Sequence, residues 1–181
     1  MHHTHARIWL VVALGAAALV LGGAQGTQGT QGTQGTQPTP AKRPSIVGTW
    51  RLVSRDLPDG TKQKYPDIVG LLTFTEKVRN FNVCWQNSSG KHVSISAISE
   101  YKLTDQEYNE KSLYYLINDE IGGKGLQYDM SGKSATAPVK MDGSKMEIHL
   151  PLFNEPVLVF EGGGFTATRA GEFVDHWQKA N

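Results

Sequence analysis

A chain of 181 residues with 39% hydrophobic and 19% charged content is enough for one hydrophobic core with some non-globular extra. Its 18 Lys+Arg against 17 Asp+Glu exclude a nucleic-acid footprint and give no field to steer it toward an anionic membrane or a strongly acidic substrate. Cys84 is the single cysteine, so no intramolecular disulfide can form and folding rests on packing, with Cys84 itself read as a small hydrophobe on a strand.

At the N-terminus, a polar stretch with Arg7 precedes an apolar run over 8–21 that ends in Gly22-Gly23-Ala24. This is the order of an export signal cut after Ala24, which predicts a secreted or periplasmic protein. The run is shorter than the roughly 18–20 residues a membrane-crossing helix needs, so a retained N-terminal anchor is the alternative and no stable span is expected after cleavage. His2, His3 and His5 belong to the polar leader. Residues 25–44 repeat Gln-Gly-Thr and end in a Pro-rich stretch with no large apolar side chain to bury; they read as a flexible linker.

From residue 45 the hydrophobic period is close to two and turn residues recur every eight to fifteen positions, the pattern of an all-β sandwich or barrel. A first strand sets Ile46, Gly48, Trp50 and Leu52 on one side and Thr49, Arg51 and Arg55 on the other, and ends at the turn Pro58-Asp59-Gly60. Strands over 68–75 and 79–86 follow, the second with Phe81, Val83 and Trp85 on one face, and then a hairpin at 87–90. A long strand alternates Val93, Ile95, Ala97, Tyr101 and Leu103 with polar residues, as in an antiparallel sheet with one solvated side. The next, over 108–118, sets Leu113, Tyr115 and Ile117 against Tyr114 and Leu116, and Gly122 to Gly125 breaks the chain. Weaker strands over 126–130, 135–141 and 145–150 lead to a segment that Pro151 and Pro156 confine to a loop or edge. Strands over 157–161 and 165–169 close the set. In the tail, Phe173 and Trp177 stand four apart, which predicts a short helix over 172–179 laid on the barrel.

The first strand, Ile46-Val47-Gly48-Thr49-Trp50-Arg51, resembles the opening of the lipocalin-like (calycin) family, whose barrels begin with Gly-x-Trp. The match extends through Asp59-Gly60, Tyr65-Pro66 and Gly70-Leu71-Leu72, and more loosely to Tyr108-x-Glu110, Asp142-Gly143 and the closing Phe165-Thr166-Ala167-Thr168-Arg169. The resemblance implies a single antiparallel up-and-down barrel of about eight to ten strands over 45–181. It also implies that a basic residue of the last strand, here Arg169, packs across Trp50 to close one end beside Gly48; cation–π stacking and terminal carbonyls supply the physical reason.

Aromatic-rich inward faces with few polar groups suit an apolar or amphipathic small molecule. The expected lining is Trp50, Leu72, Phe74, Phe81, Val83, Trp85, Ile95, Tyr101, Tyr115 and Ile148. The alternatives are a structural or protein-interaction barrel filled by its own side chains and a small isomerase- or cyclase-type enzyme using one carboxylate, Glu100 or Glu110. No catalytic, cofactor or metal motif appears: His92, His149 and His176 read as surface residues, and Gly162-Gly163-Gly164 lacks the lysine and following helix of a phosphate loop. Asn87-Ser88-Ser89 matches the acceptor pattern for N-glycosylation.

Overall fold

The computed structural model describes residues 43–180, so the expected export signal and most of the expected linker lie outside the described residues. Among the described residues twelve strands form in chain order, and ten of them close on each other by antiparallel pairing into a barrel. These ten are β1 (Gly48–Asp56), β3 (Ile68–Phe74), β4 (Val78–Gln86), β5 (His92–Leu103), β6 (Glu107–Asp119), β8 (Ser134–Asp142), β9 (Lys145–His149), β10 (Val157–Glu161), β11 (Gly164–Arg169) and β12 (Phe173–Lys179). Two short strands lie off the ring: β2 (Lys62–Gln63) on β1, and β7 (Gly125–Asp129) on β6. Ring neighbours follow chain order, the up-and-down topology, until β12 pairs with β1 and leaves the ring without an open edge.

The expected C-terminal helix is instead β12, and no helix forms among the described residues. Residues four apart share a face of a helix, but they also share a face of a strand, where the period is two. In β12 the residues Phe173, Asp175 and Trp177 all point inward, and this strand supplies both the last wall of the barrel and its closure.

One end of the barrel is filled. Trp50, Phe74, Phe160 and Phe165 meet edge to face or tilted with centroids 4.7 to 6.5 Å apart, and Phe74 in turn meets Tyr101, which stacks on Tyr108. All six side chains are buried, with Met146 and Ile148 beside them. The Trp50 indole N–H donates to the Ile46 carbonyl at 2.9 Å, so the polar edge of the indole is satisfied. Packing of this kind contributes about 25 cal/mol per Å² of apolar surface removed from water.

Two bulges reverse the inside–outside alternation. On β1, Leu52 opposes Trp177 but Ser54 opposes His176, so the extra residue shifts Arg55 to face Asp175 inside the barrel. On β6 the pairing steps from Tyr114 to Ser112, which leaves Leu113 outside and exposed and sets Tyr108, Glu110 and Ser112 inward below the step. The expectation that Arg55 lies on the outer face with Arg51, and Leu113 on one face with Tyr115, therefore fails at these two residues.

Candidate functional site

Above the aromatic plug the barrel holds a cavity of about 560 Å³, which reaches the turns at the opposite end. Of the ten residues expected to line a ligand site, six line this cavity: Leu72, Phe81, Val83, Trp85, Ile95 and Tyr115. The other four, Trp50, Phe74, Tyr101 and Ile148, are buried in the core at the filled end and are not part of the cavity wall. The reason is axial position: inward-facing residues near the 75–77, 104–106 and 162–163 turns are consumed by the plug, and only those farther along the same strands face open space.

Among the described residues, three ion pairs in two clusters stand inside the barrel that the sequence pattern did not reveal. Arg55 makes a bidentate contact with Asp175, Nε to Oδ1 at 2.6 Å and Nη2 to Oδ2 at 2.9 Å, across the β1–β12 seam. Its guanidinium also lies 4.6 Å from the Trp85 ring centroid and 4.0 Å from that of Phe173. Burial pushes the Asp175 carboxyl above its ordinary value, and Arg55 offsets this only in part.

Deeper down, Arg79 on β4 is 2% exposed and is shared by two carboxylates. Its Nη1 donates to Glu110 at 2.7 Å and to Glu155 at 3.0 Å, and its Nη2 donates to the second Glu155 oxygen. Arg79 Nε and Glu110 Oε2 have no protein partner. Burial raises the Glu155 carboxyl, Arg79 pulls it back only partly, and the charge of Glu110 adds to the rise. Glu110, one of the two carboxylates considered for chemistry, thus faces inward as a partner of Arg79, whereas Glu100 is exposed on the outer face of β5.

Glu155 comes from the segment between β9 and β10, which folds over the inside of the barrel. Phe153 stacks on Tyr115 with centroids 4.0 Å apart and 10° between planes, and Phe153 through Pro156 line the cavity. Phe153 and Asn154 both adopt left-handed backbone angles, φ 54° and 53°, a conformation that costs a non-glycine residue about 1–2 kcal/mol. Pro151 and Pro156 did mark this segment as a loop, but nothing in its sequence indicated that it turns inward.

The closing contact at Trp50 differs from the one the family resemblance implied. Lys179 of β12, not Arg169, stands over the Trp50 ring, its Nζ 5.3 Å from the centroid. Gly48 lies beside this contact: its φ of 139° favours glycine, and the Lys179 side chain passes 3.4 Å from where a Cβ would stand, an ordinary van der Waals distance. Arg169 opposes Phe173 at the other end of β12, lines the cavity near the turns and lies 3.1 Å from Glu172. A guanidinium packed on aromatic faces does occur, at Arg55 with Trp85 and Phe173.

The three histidines among the described residues take no part in the cavity: His92 lies near Glu120, His149 near Glu147 and His176 near Asp56, all at the outer surface. Cys84 is half-buried on β4, with its thiol raised by burial. The fold and the site together define a closed antiparallel barrel with one plugged end and one hollow end. Comparison with protein-family models, curated proteins and solved structures gave no significant match.

Proposed function

We propose that this chain is an exported, lipocalin-like binding protein that holds a small apolar or amphipathic molecule in the hollow half of its barrel. The observation that carries this reading is the cavity itself. Its volume of about 560 Å³ falls within the usual range of ligand pockets, and aliphatic and aromatic side chains from β3, β4, β5, β6, β10, β11 and β12 surround it. A barrel built only to be stable would be filled by its own side chains, as the Trp50 end is. The leader-like residues 1–24 support export, and the Gln-Gly-Thr stretch would form the N-terminal tail of the exported chain.

The test is a fluorescence titration with an apolar dye, for which micromolar affinity, about 8 kcal/mol, is expected. Trp85 and Trp177 both line the cavity and should report occupancy. Trp85→Ala should remove most of the signal and weaken binding while circular dichroism retains the β spectrum. An absence of saturable binding by any apolar probe would overturn the reading in favour of a structural barrel.

A further inference from the structure

Arg79 carries one carboxylate more than a guanidinium needs to be neutral, in a place where unbalanced charge is expensive. The two carboxylates are held differently. Glu110 is fixed on β6, in the wall of the barrel, and its side chain is 1% exposed. Glu155 rides on a loop whose two preceding residues are held in left-handed angles, and its side chain, at 9%, is the more accessible of the pair. Glu155 nevertheless takes the bidentate position on the guanidinium, the geometry by which arginine binds a free carboxylate.

We propose that Glu155 occupies the place of a ligand's carboxylate, and that the cavity takes an acid with an apolar tail whose head replaces Glu155 on Arg79 as the 151–156 loop swings outward. This rests on the binding reading above and names the ligand class. The exchange leaves the charge around Arg79 and Glu110 unchanged, so the cost of burying the incoming carboxylate is offset by returning that of Glu155 to water. Release of Phe153 and Asn154 from their left-handed angles and burial of the tail against Phe81, Val83 and Ile95 then favour the occupied state. An uncharged ligand has no such exchange to make. It must share the cavity with the loop, or displace Glu155 and leave Arg79 balanced in charge by Glu110 but with its Nη2 donor buried and without an acceptor.

The experiment compares dodecanoate with methyl dodecanoate, both below their aggregation limits, on the full chain and on Glu155→Gln and Glu155→Ala. Dodecanoate should bind at least tenfold more tightly than the ester to the unaltered protein. Both substitutions should tighten dodecanoate about tenfold by removing the competitor while changing the ester less than threefold. Hydrogen exchange at 152–155 should accelerate on addition of dodecanoate and not of the ester. Equal affinity for acid and ester, or weaker acid binding in Glu155→Ala, overturns this proposal and leaves the cavity as an apolar site. Failure of both probes to bind removes the binding reading along with it.

Discussion

Lys179 runs its methylenes past Gly48 and sets its ammonium above Trp50, so these three residues form one contact at the plugged end. Trp50→Ala removes a fully buried indole and should destabilise by roughly 3–5 kcal/mol in a denaturant titration. Lys179→Ala should cost about 0.5–1 kcal/mol, as expected of an exposed cation over an aromatic face, and the double mutant should lose less than the sum. The same cycle run with Arg169→Ala should be additive, because Arg169 lies at the far end of β12. A second prediction concerns Gly70, where a Cβ would stand 2.8 Å from Trp177 Cη2 and 3.1 Å from Leu52 Cβ. Neither neighbour has a flexible end to move aside, so Gly70→Ala should lower stability by about 1–3 kcal/mol, while Gly143→Ala meets no atom and pays only for its φ of 58°.

At the level of elements, β12 decides whether the barrel exists. It pairs with β11 along one edge and β1 along the other, and it brings Asp175 to the Arg55 guanidinium. A chain ending at Glu172 should therefore lose cooperative unfolding altogether, whereas a helix merely laid on the outside could be removed at modest cost. Asp175→Asn should cost about 3–5 kcal/mol, since it leaves a buried guanidinium without its counter-charge. The β architecture, most strand limits and the inward faces of β4 and β5 were legible from alternation alone, because side-chain direction in a strand is fixed by the pleat. Arg55 and Glu110 were not, since a single inserted residue at each bulge reverses that alternation and leaves no compositional mark. Nor was the division of the barrel into a plugged and a hollow half, which depends on where along the axis each inward residue falls. The inward loop was invisible for a related reason: the side chain of its site-forming residue, Glu155, finds its hydrogen-bond donor in Arg79, which is distant in the chain.

For the molecule as a whole, two sets of carboxyls act in opposite senses on the pH dependence of stability. Glu155 and Asp175 are raised by burial, so the native state binds more protons than the unfolded chain between the ordinary carboxyl values, 4.5 and 3.8, and the raised ones. Stability should thus rise as pH falls through the raised values toward the ordinary ones. Asp56, Asp59, Asp129 and Glu147 are lowered, chiefly by hydrogen bonds from Lys62, Thr61, Lys133 and Lys140 respectively, so their stabilisation is present above the ordinary values and is lost as pH falls below about 4. Denaturation midpoints measured from pH 8 to 3 should pass through a maximum on the acid side of neutrality. Glu155→Gln should flatten the rise and leave the acid limb in place; an unchanged profile in that variant would argue that Glu155 is not buried in solution.

Closure by β1 and β12 also brings the two ends of the barrel's chain together. Trp50 faces Lys179 across the seam, and the Ala180 amide donates to the Thr49 carbonyl at 2.8 Å, so the chain enters and leaves the ring on neighbouring strands at the plugged end. Neighbouring strands lie about 4.8 Å apart, a gap that a few glycines span. The order in which the strands are synthesised is therefore separable from the order in which they pair. A circular permutant that joins 180 to 45 through a short linker and opens the β4–β5 turn at Ser88-Ser89 keeps every ladder of the ring. It moves both termini to the hollow end, on the rim of the cavity. Such a permutant should unfold in one cooperative step, and a group attached to its new ends would stand at the mouth, where it can report or obstruct entry without altering a single lining residue.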